Sequence, residues 1–125
     1  FRIAHTFVRH FVKQNTGQII NTSSVLGTKV RANAGAYSAT KYAVEALSEA
    51  MRLELADTNV KVTCIEPGLV MTDLHDHFEV HPKDVIGLEE PLQPVDIARI
   101  VLHVATQPAH VLVPKVMVLP KHNAI

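Results

Sequence analysis

Three side chains near the start of the sequence have types and spacings that suit proton transfer to a substrate oxygen. Ser24 follows an apolar segment, Tyr37 comes 13 residues later, and Lys41 lies four residues beyond Tyr37. On a helix, the last two side chains share one face. A tyrosine hydroxyl titrates at about pH 10 and is a poor base at neutral pH. A lysine ammonium one turn away favours the phenolate, so such a pair can give and take a proton near neutrality.

A hydroxyl and a tight turn complete this candidate site. Ser24 could hydrogen-bond the same substrate oxygen and hold it against the tyrosine. Pro67-Gly68 follows a second apolar segment, with Thr72 shortly after it. Such a set suits the interconversion of a carbonyl and an alcohol. The hydride must come from a cofactor, because no side chain supplies one.

Each of these features has an ordinary explanation when taken alone. Tyrosine and lysine at this spacing occur on many helices. A serine can bond its own backbone, and Pro-Gly is a common turn. The joint placement of all of them at predicted element ends is what favours a site.

Helices and strands are predicted to alternate along the chain. The predicted helices are Phe1–Lys13, Ala36–Ala56 and Val95–Thr106; the predicted strands are Gln18–Ser23, Val60–Ile65 and Val111–Leu119, the last as one strand or as two pieces around Pro114. Gly17 is expected to end the first helix in a left-handed conformation. This alternation favours a parallel sheet covered by helices. Ligands of such sheets bind beyond the carboxyl ends of the strands.

The segments IINTSSVLG, AYSATKYAVEALSEAMRLEL and VTCIEPGLVMT, between Ile19 and Thr72, resemble the short-chain dehydrogenase/reductase family. The likeness extends back to Phe1 and forward through the third helix, so it covers essentially the whole chain. It implies an α/β fold of Rossmann type, with a doubly wound parallel sheet and helices on both faces. Residues 1–125 would be the C-terminal half of that single domain, with three helices and about three strands.

The resemblance also implies roles for individual residues. Tyr37 would be the acid/base, Lys41 would favour its phenolate form and bind the nicotinamide ribose, and Ser24 would hold the substrate oxygen. The remaining cofactor contacts would come from the turn after the second strand: Pro67 and Gly68 lining the nicotinamide pocket, and Val70 and Thr72 contacting the carboxamide or phosphates.

The end of the chain resembles one branch of that family. Pro91 to Pro120 is similar to the branch with bacterial hydroxy-acid and serine dehydrogenases, which implies NADP in preference to NAD. The family's Thr-Gly-x-x-x-Gly-x-Gly and Asn-Asn-Ala-Gly segments do not occur in the 125 residues. The chain also begins with Phe1, inside a helical pattern that has no cap. We therefore expect a piece of a longer protein, and no turnover by this piece alone.

Composition narrows the possible partners and locations of the protein. Twelve basic residues balance twelve acidic ones, so nothing predicts a nucleic-acid partner. No apolar run approaches the roughly 20 residues of a membrane span. The single cysteine, Cys64, cannot form an internal disulfide, so a cytoplasmic location is expected. The alternatives to an enzyme are a non-catalytic relative used for binding or assembly, or an interaction protein; retention of Ser24, Tyr37 and Lys41 favours the enzyme.

Two further patterns lead to predictions about ligands and partners. A polar segment concentrates histidine and acidic side chains: Asp73, His75, Asp76, His77, Glu79 and His81. Without a nearby cysteine or a closed set of four ligands it favours a solvated loop over a metal site, and the family resemblance makes it a lid over the substrate. The first two helices carry apolar residues on more than one stripe, which predicts a contact between identical subunits, and the family resemblance implies a homodimer or homotetramer. The alternative is that a missing half of the protein covers these stripes.

Overall fold

Three parallel strands in chain order form the sheet: β1 at Gly17–Thr22, β2 at Val60–Pro67 and β3 at Lys115–Val118. The computed structural model describes residues 2–122. The β1–β2 register runs from Gly17↔Val60 to Thr22↔Ile65. β3 pairs with the end of β2, from Cys64↔Lys115 to Pro67↔Val118. All three strands therefore bring their carboxyl ends to the same edge.

The helices are α1 at Arg2–Gln14, α2 at Gly35–Glu54, the short α3 at Pro82–Val85 and α4 at Pro94–Ala105, and helices cover both faces of this sheet. Strand side chains alternate between faces, so the partners of β1 identify the covering helices. Asn21 donates to Ser48 on α2, whereas Gln18 donates to the Val104 carbonyl on α4. The predicted α/β fold, with a parallel sheet and helices on both faces, is confirmed.

The main apolar core lies between α2 and β2. Met51 and Leu55 pack with Val60 and Val62, and the inner side of α1 closes the cluster through residues at helical spacing: Ala4, Val8 and Phe11. Burial of such side chains stabilises the fold by about 1.5–3 kcal/mol each. This core holds the long helix α2 against β2, and α2 carries the candidate tyrosine and lysine.

Several predicted boundaries differ from the structure. β2 continues to Pro67, because the Gly68 N–H donates to Val118 on the neighbouring strand. The prediction of a strand over Val111–Leu119 is wrong in extent, because only Lys115–Val118 is a strand. Pro114 has no N–H to donate to a ladder, although its carbonyl accepts from Cys64.

The end of the first helix also differs from the prediction. Asn15, with φ 49°, takes the left-handed conformation expected of Gly17, as asparagine tolerates it. Gly17 has φ 157°, and a Cβ there would lie 2.2 Å from Cγ of Phe11. Its small size therefore serves the packing of α1 on β1. The first residue of the predicted helix, Phe1, lies outside the described residues.

Candidate active site

Ser24 lies just beyond the carboxyl end of β1 and is buried. Its Oγ accepts from the Leu26 N–H at 3.2 Å, which begins a short 3-10 turn at Val25–Gly27. The same hydroxyl donates to the Pro67 carbonyl at 3.5 Å. Because Pro67 ends β2, the serine lies where the two strand ends meet.

Tyr37 and Lys41 lie together on the first turns of α2. The Lys41 Nζ is 5.7 Å from the centroid of the Tyr37 ring. It donates to the carbonyl of Thr22, the last residue of β1, at 3.1 Å. Tyr37 is 39% exposed. The helix therefore presents both side chains beside the carboxyl end of β1.

Ser23 fixes the backbone of α2 at the same place. Its Oγ donates to the Lys41 carbonyl at 3.3 Å, while its N–H donates to Ile65 on β2. Ser23, which directly follows β1, is thus hydrogen-bonded to both α2 and β2. This places Ser24, the next residue, between the lysine-bearing helix and the second strand.

The carboxyl end of β2 carries Pro67, which contacts Ser24, and Gly68 follows it. The Gly68 N–H donates to the Val118 carbonyl at 2.7 Å. A Cβ on Gly68 would lie 2.9 Å from Cδ of Pro120 and 3.2 Å from Cδ2 of Leu119. Only glycine fits without displacing the chain that follows β3.

Val70 and Thr72 lie further along the segment that leaves β2. Val70 forms a parallel bridge with Leu92, and the bonds on either side join Met71 and Leu69 to the same residue. Thr72 is exposed and precedes a 3-10 turn at Asp73–His75; its hydroxyl makes no capping bond to that turn. These contacts bring Ser24 to Pro67 and Lys41 to Tyr37. Val70 instead pairs with Leu92, and the Thr72 carbonyl accepts from the His75 N–H.

A charged cluster with two buried carboxylates, which the sequence reasoning missed, lies beside these residues. The Lys115 Nζ is 2.9 Å from Oε2 of Glu45 and 2.9 Å from Oε1 of Glu66. Glu66 is 1% exposed and Glu45 is 8% exposed. We name these three residues the Lys115 cluster. The available signal was an acidic residue near the end of β2, Glu66, and a basic residue in β3, Lys115, but no local spacing links them to Glu45.

The protonation of the cluster follows from its contacts. Burial raises the pKa of Glu66 above its usual value, although the bond from Lys115 opposes the rise. Burial would also raise the pKa of Glu45, but the neighbouring Ser23, Lys115 and Cys64 side chains hold it below its usual value. Burial, with the hydrogen bond to Glu45, raises the pKa of Cys64 to about 11. The thiol is therefore a neutral donor, not a nucleophile, at physiological pH.

The histidine segment, residues 73–81, is held in part by contacts of its own histidine rings. The rings of His75 and His81 meet edge to face at 5.2 Å, and the His81 Nδ1 accepts from the Lys83 N–H at the start of α3. Burial, followed by the neighbouring His81 and His77, lowers the pKa of His75. Within residues 2–122, no group of three or more histidine, cysteine or acidic side chains is placed to hold a metal ion. No helix in that range is long and apolar enough to cross a membrane.

Comparison with known families assigns the chain. A family model described as short chain dehydrogenase matches residues 1–82. The chain belongs to the short chain dehydrogenase family. This confirms the resemblance drawn from the segments between Ile19 and Thr72.

Relatives of this short chain dehydrogenase extend the comparison. An uncharacterized oxidoreductase of Staphylococcus aureus strain MW2 is 40% identical over 109 residues, which are 87% of this chain and 45% of the relative. A solved serine dehydrogenase complexed with NADP+ is 31% identical with a TM-score of 0.89, over 98% of this chain and 51% of that one. Serine dehydrogenase from Escherichia coli is 32% identical with a TM-score of 0.79, over 97% and 48%. The chain spans about half the length of the relatives it matches.

Proposed function

We propose that the protein containing this chain is an oxidoreductase that interconverts an alcohol and a carbonyl with a nicotinamide cofactor, NADP in preference to NAD. The observation that carries the proposal is the placement of the Lys41 ammonium between the Tyr37 ring and the end of β1. Residues 1–125 would form the C-terminal half of one Rossmann-type domain. The cysteine usage supports a cytoplasmic location.

Each of the three site residues has a defined task in this proposal. The Tyr37 hydroxyl gives a proton to the substrate oxygen in reduction and takes it back in oxidation. Lys41 favours the phenolate by its positive charge. Ser24 holds the substrate oxygen. Its bond to the Pro67 carbonyl is long, at 3.5 Å, so a substrate oxygen can replace it at small cost.

The residues around this site fit a nicotinamide group. When bound, the cofactor supplies or accepts the hydride. Tyr37 and Lys41 would contact the ribose from α2, and the turn after β2 would contact the rest through Pro67, Gly68, Val70 and Thr72. The exposed Thr72 hydroxyl makes no capping bond, so it is available as a donor to the carboxamide or a phosphate. The serine dehydrogenase neighbour complexed with NADP+ supports the choice of NADP.

The test is a nicotinamide absorbance assay on the intact protein, expressed from its whole gene, with a panel of small hydroxy acids, alcohols and the matching carbonyl compounds. We expect turnover with NADP, and its loss in Tyr37→Phe with the fold and most cofactor affinity retained. Tyr42→Phe is the matched control, because Tyr42 lies on the same helix and is similarly exposed, at 43%. Near-normal turnover by Tyr37→Phe would contradict the acid/base assignment. Absence of cofactor binding in the wild type would favour the non-catalytic alternative.

A further inference from the structure

The Lys115 cluster joins the elements that carry the candidate site. Glu45 lies on α2, one turn after Lys41 and on the same side of the helix. Glu66 lies on β2 and directly precedes Pro67, the partner of Ser24. Lys115 begins β3. One ammonium group therefore bonds α2 to β2 from a third element, β3.

The cluster is built from the register of the sheet. β3 pairs Lys115 with Cys64, so the lysine lies on the same face of the sheet as Cys64 and Glu66. That face is the one covered by α2, because the Cys64 Sγ donates to Oε1 of Glu45 at 3.2 Å. Oε1 of Glu45 thus accepts from Cys64, while Oε2 pairs with the Lys115 ammonium at 2.9 Å, so both oxygens of the carboxylate are held.

We infer that Lys115, Glu45 and Glu66 are positioning residues, which hold the Tyr37–Lys41 turn of α2 at its place beside Ser24 and Pro67. The inference rests on the proposed function. The three residues act through α2 and β2, and none of them contacts the substrate. An enzyme needs this precision, because a displacement of about 1 Å at the reacting groups can cost about 10²-fold in rate.

Two ion pairs that share one ammonium explain why charged residues occupy this place. Replacing a buried ion triad with apolar residues of similar volume is often neutral or stabilising. Stability alone therefore does not require the cluster. The two ion pairs set the distance from the ammonium to each carboxylate, whereas apolar contacts allow α2 to shift along the sheet. The Lys115 side chain is 48% exposed, which leaves room for a larger cation at the same place.

The test separates positioning from stability by three variants of the intact protein. Lys115→Met leaves two buried carboxylates without a cation, and we expect a lower free energy of unfolding together with a fall in kcat of about 10²-fold. Lys115→Arg offers a fork that reaches both carboxylates, and we expect kcat to return to within about tenfold of the wild type. The combined variant Glu45→Leu, Glu66→Leu and Lys115→Met is expected to be as stable as the wild type and yet slow in kcat, with little change in KM.

Lys61→Met is the matched control. The Lys61 Nζ also bonds across elements, to the carbonyls of Gln107 and Pro108, but on the α4 face of the sheet. We expect this variant to lose stability and to keep its kcat. Wild-type kcat in the combined apolar variant would overturn the inference, as would an equal loss of kcat in Lys61→Met.

A second measurement keeps this inference distinct from the proposed function. Amide hydrogen exchange at the first turns of α2, around Tyr37 and Lys41, reports their attachment without any turnover. We expect faster exchange there in the combined apolar variant than in the wild type, and no such change in Lys61→Met. If the wild type turns over no substrate, the proposed function fails, and this exchange alone decides whether the cluster holds the helix. Unchanged exchange in the combined variant would overturn the inference.

Discussion

Lys41 joins α2 to β1 through one contact. Its ammonium donates to a backbone carbonyl, that of Thr22, which no side-chain substitution at position 22 removes. The same group lies 5.7 Å from the centroid of the Tyr37 ring. The positive charge is therefore held beside the phenol by the sheet itself. A lysine on a free helix surface would sample many positions and stabilise a phenolate only part of the time.

This double role gives a prediction for Lys41→Ala in the intact protein. We expect a loss of kcat of about 10²-fold or more, because the ammonium no longer favours the phenolate. We also expect weaker cofactor binding, because the proposed ribose contact is lost. Steady-state kinetics and a cofactor titration measure the two effects separately, and Lys13→Ala on the exposed end of α1 is the control. A variant that lost rate while binding cofactor as tightly as the wild type would contradict the ribose role.

Gly68 gives a second prediction at this scale. A Cβ at this position would lie 2.9 Å from the Pro120 ring, which cannot rotate away. We expect Gly68→Ala to lower the free energy of unfolding by about 1–3 kcal/mol. Gly35→Ala is the matched control, because nothing lies within 4 Å of a Cβ there. At that first position of α2, alanine should be stabilising by about 0.4–1 kcal/mol. Chemical denaturation measures both, and equal effects of the two substitutions would contradict the packing account.

At the scale of helices and strands, the local sequence pattern predicted the features that depend on residues close together in the sequence. The three longer helices, the first two strands and the Tyr37–Lys41 pair follow from spacings of a few residues, and the sequence placed them to within a few residues. The short α3 at Pro82–Val85 was not predicted. The Lys115 cluster was missed because it requires the β2–β3 register and the rotation of α2, which no local spacing contains. The final strand was predicted too long because its apolar composition continues through Val111–Pro114. The backbone carbonyls of Val113 and Pro114 instead accept hydrogen bonds from β2.

The histidine segment gives a prediction for this scale. The pKa of His75 is lowered by burial and then by His81 and His77, with Asp76 acting in the opposite direction. Below the unfolded value of 6.5, the unfolded chain binds more protons than the folded one. The free energy of unfolding of this segment should therefore fall as the pH falls from 6.5 towards the lowered value.

The measurement is amide hydrogen exchange across residues 73–86 at a series of pH values, corrected for the intrinsic exchange rate. We expect the segment to open more easily as the pH falls below 6.5, and His75→Gln to lose most of this dependence. His5→Gln on exposed α1 is the control. If His5→Gln abolished the dependence and His75→Gln left it unchanged, burial of His75 would not be its cause.

For the whole molecule, the surfaces left uncovered point to further partners. In the part of the chain that the structure describes, β1 pairs with a strand on one side only. Its apolar sequence is unsuited to an open edge. Relatives such as the S. aureus oxidoreductase are about twice as long as the matched region. We propose that strands from the rest of the intact protein cover this edge, as the expected N-terminal half of a Rossmann-type domain would.

A second uncovered apolar surface lies on the outer faces of α1 and α2. Val8 and Phe11 pack against the core, but Ile3, Phe7 and Leu53 keep 76%, 50% and 62% of their surface exposed. Apolar surface of this kind on adjacent helices is typical of an interface between identical subunits. We therefore expect the intact protein to sediment as a dimer or tetramer at micromolar concentration.

Substitution on α2 tests which surface makes this contact. Leu53→Glu places a charge in the proposed interface, where it would be buried without a partner on association. We expect this variant to dissociate into smaller species while keeping its fold, since Leu53 is exposed within the chain. Val30→Glu is the control, because Val30 is similarly exposed, at 72%, but lies in the loop before α2 and not on the helix. A wild type that sediments as a monomer at every concentration would rule the assembly out, and would leave the second apolar stripes to be covered by the same chain.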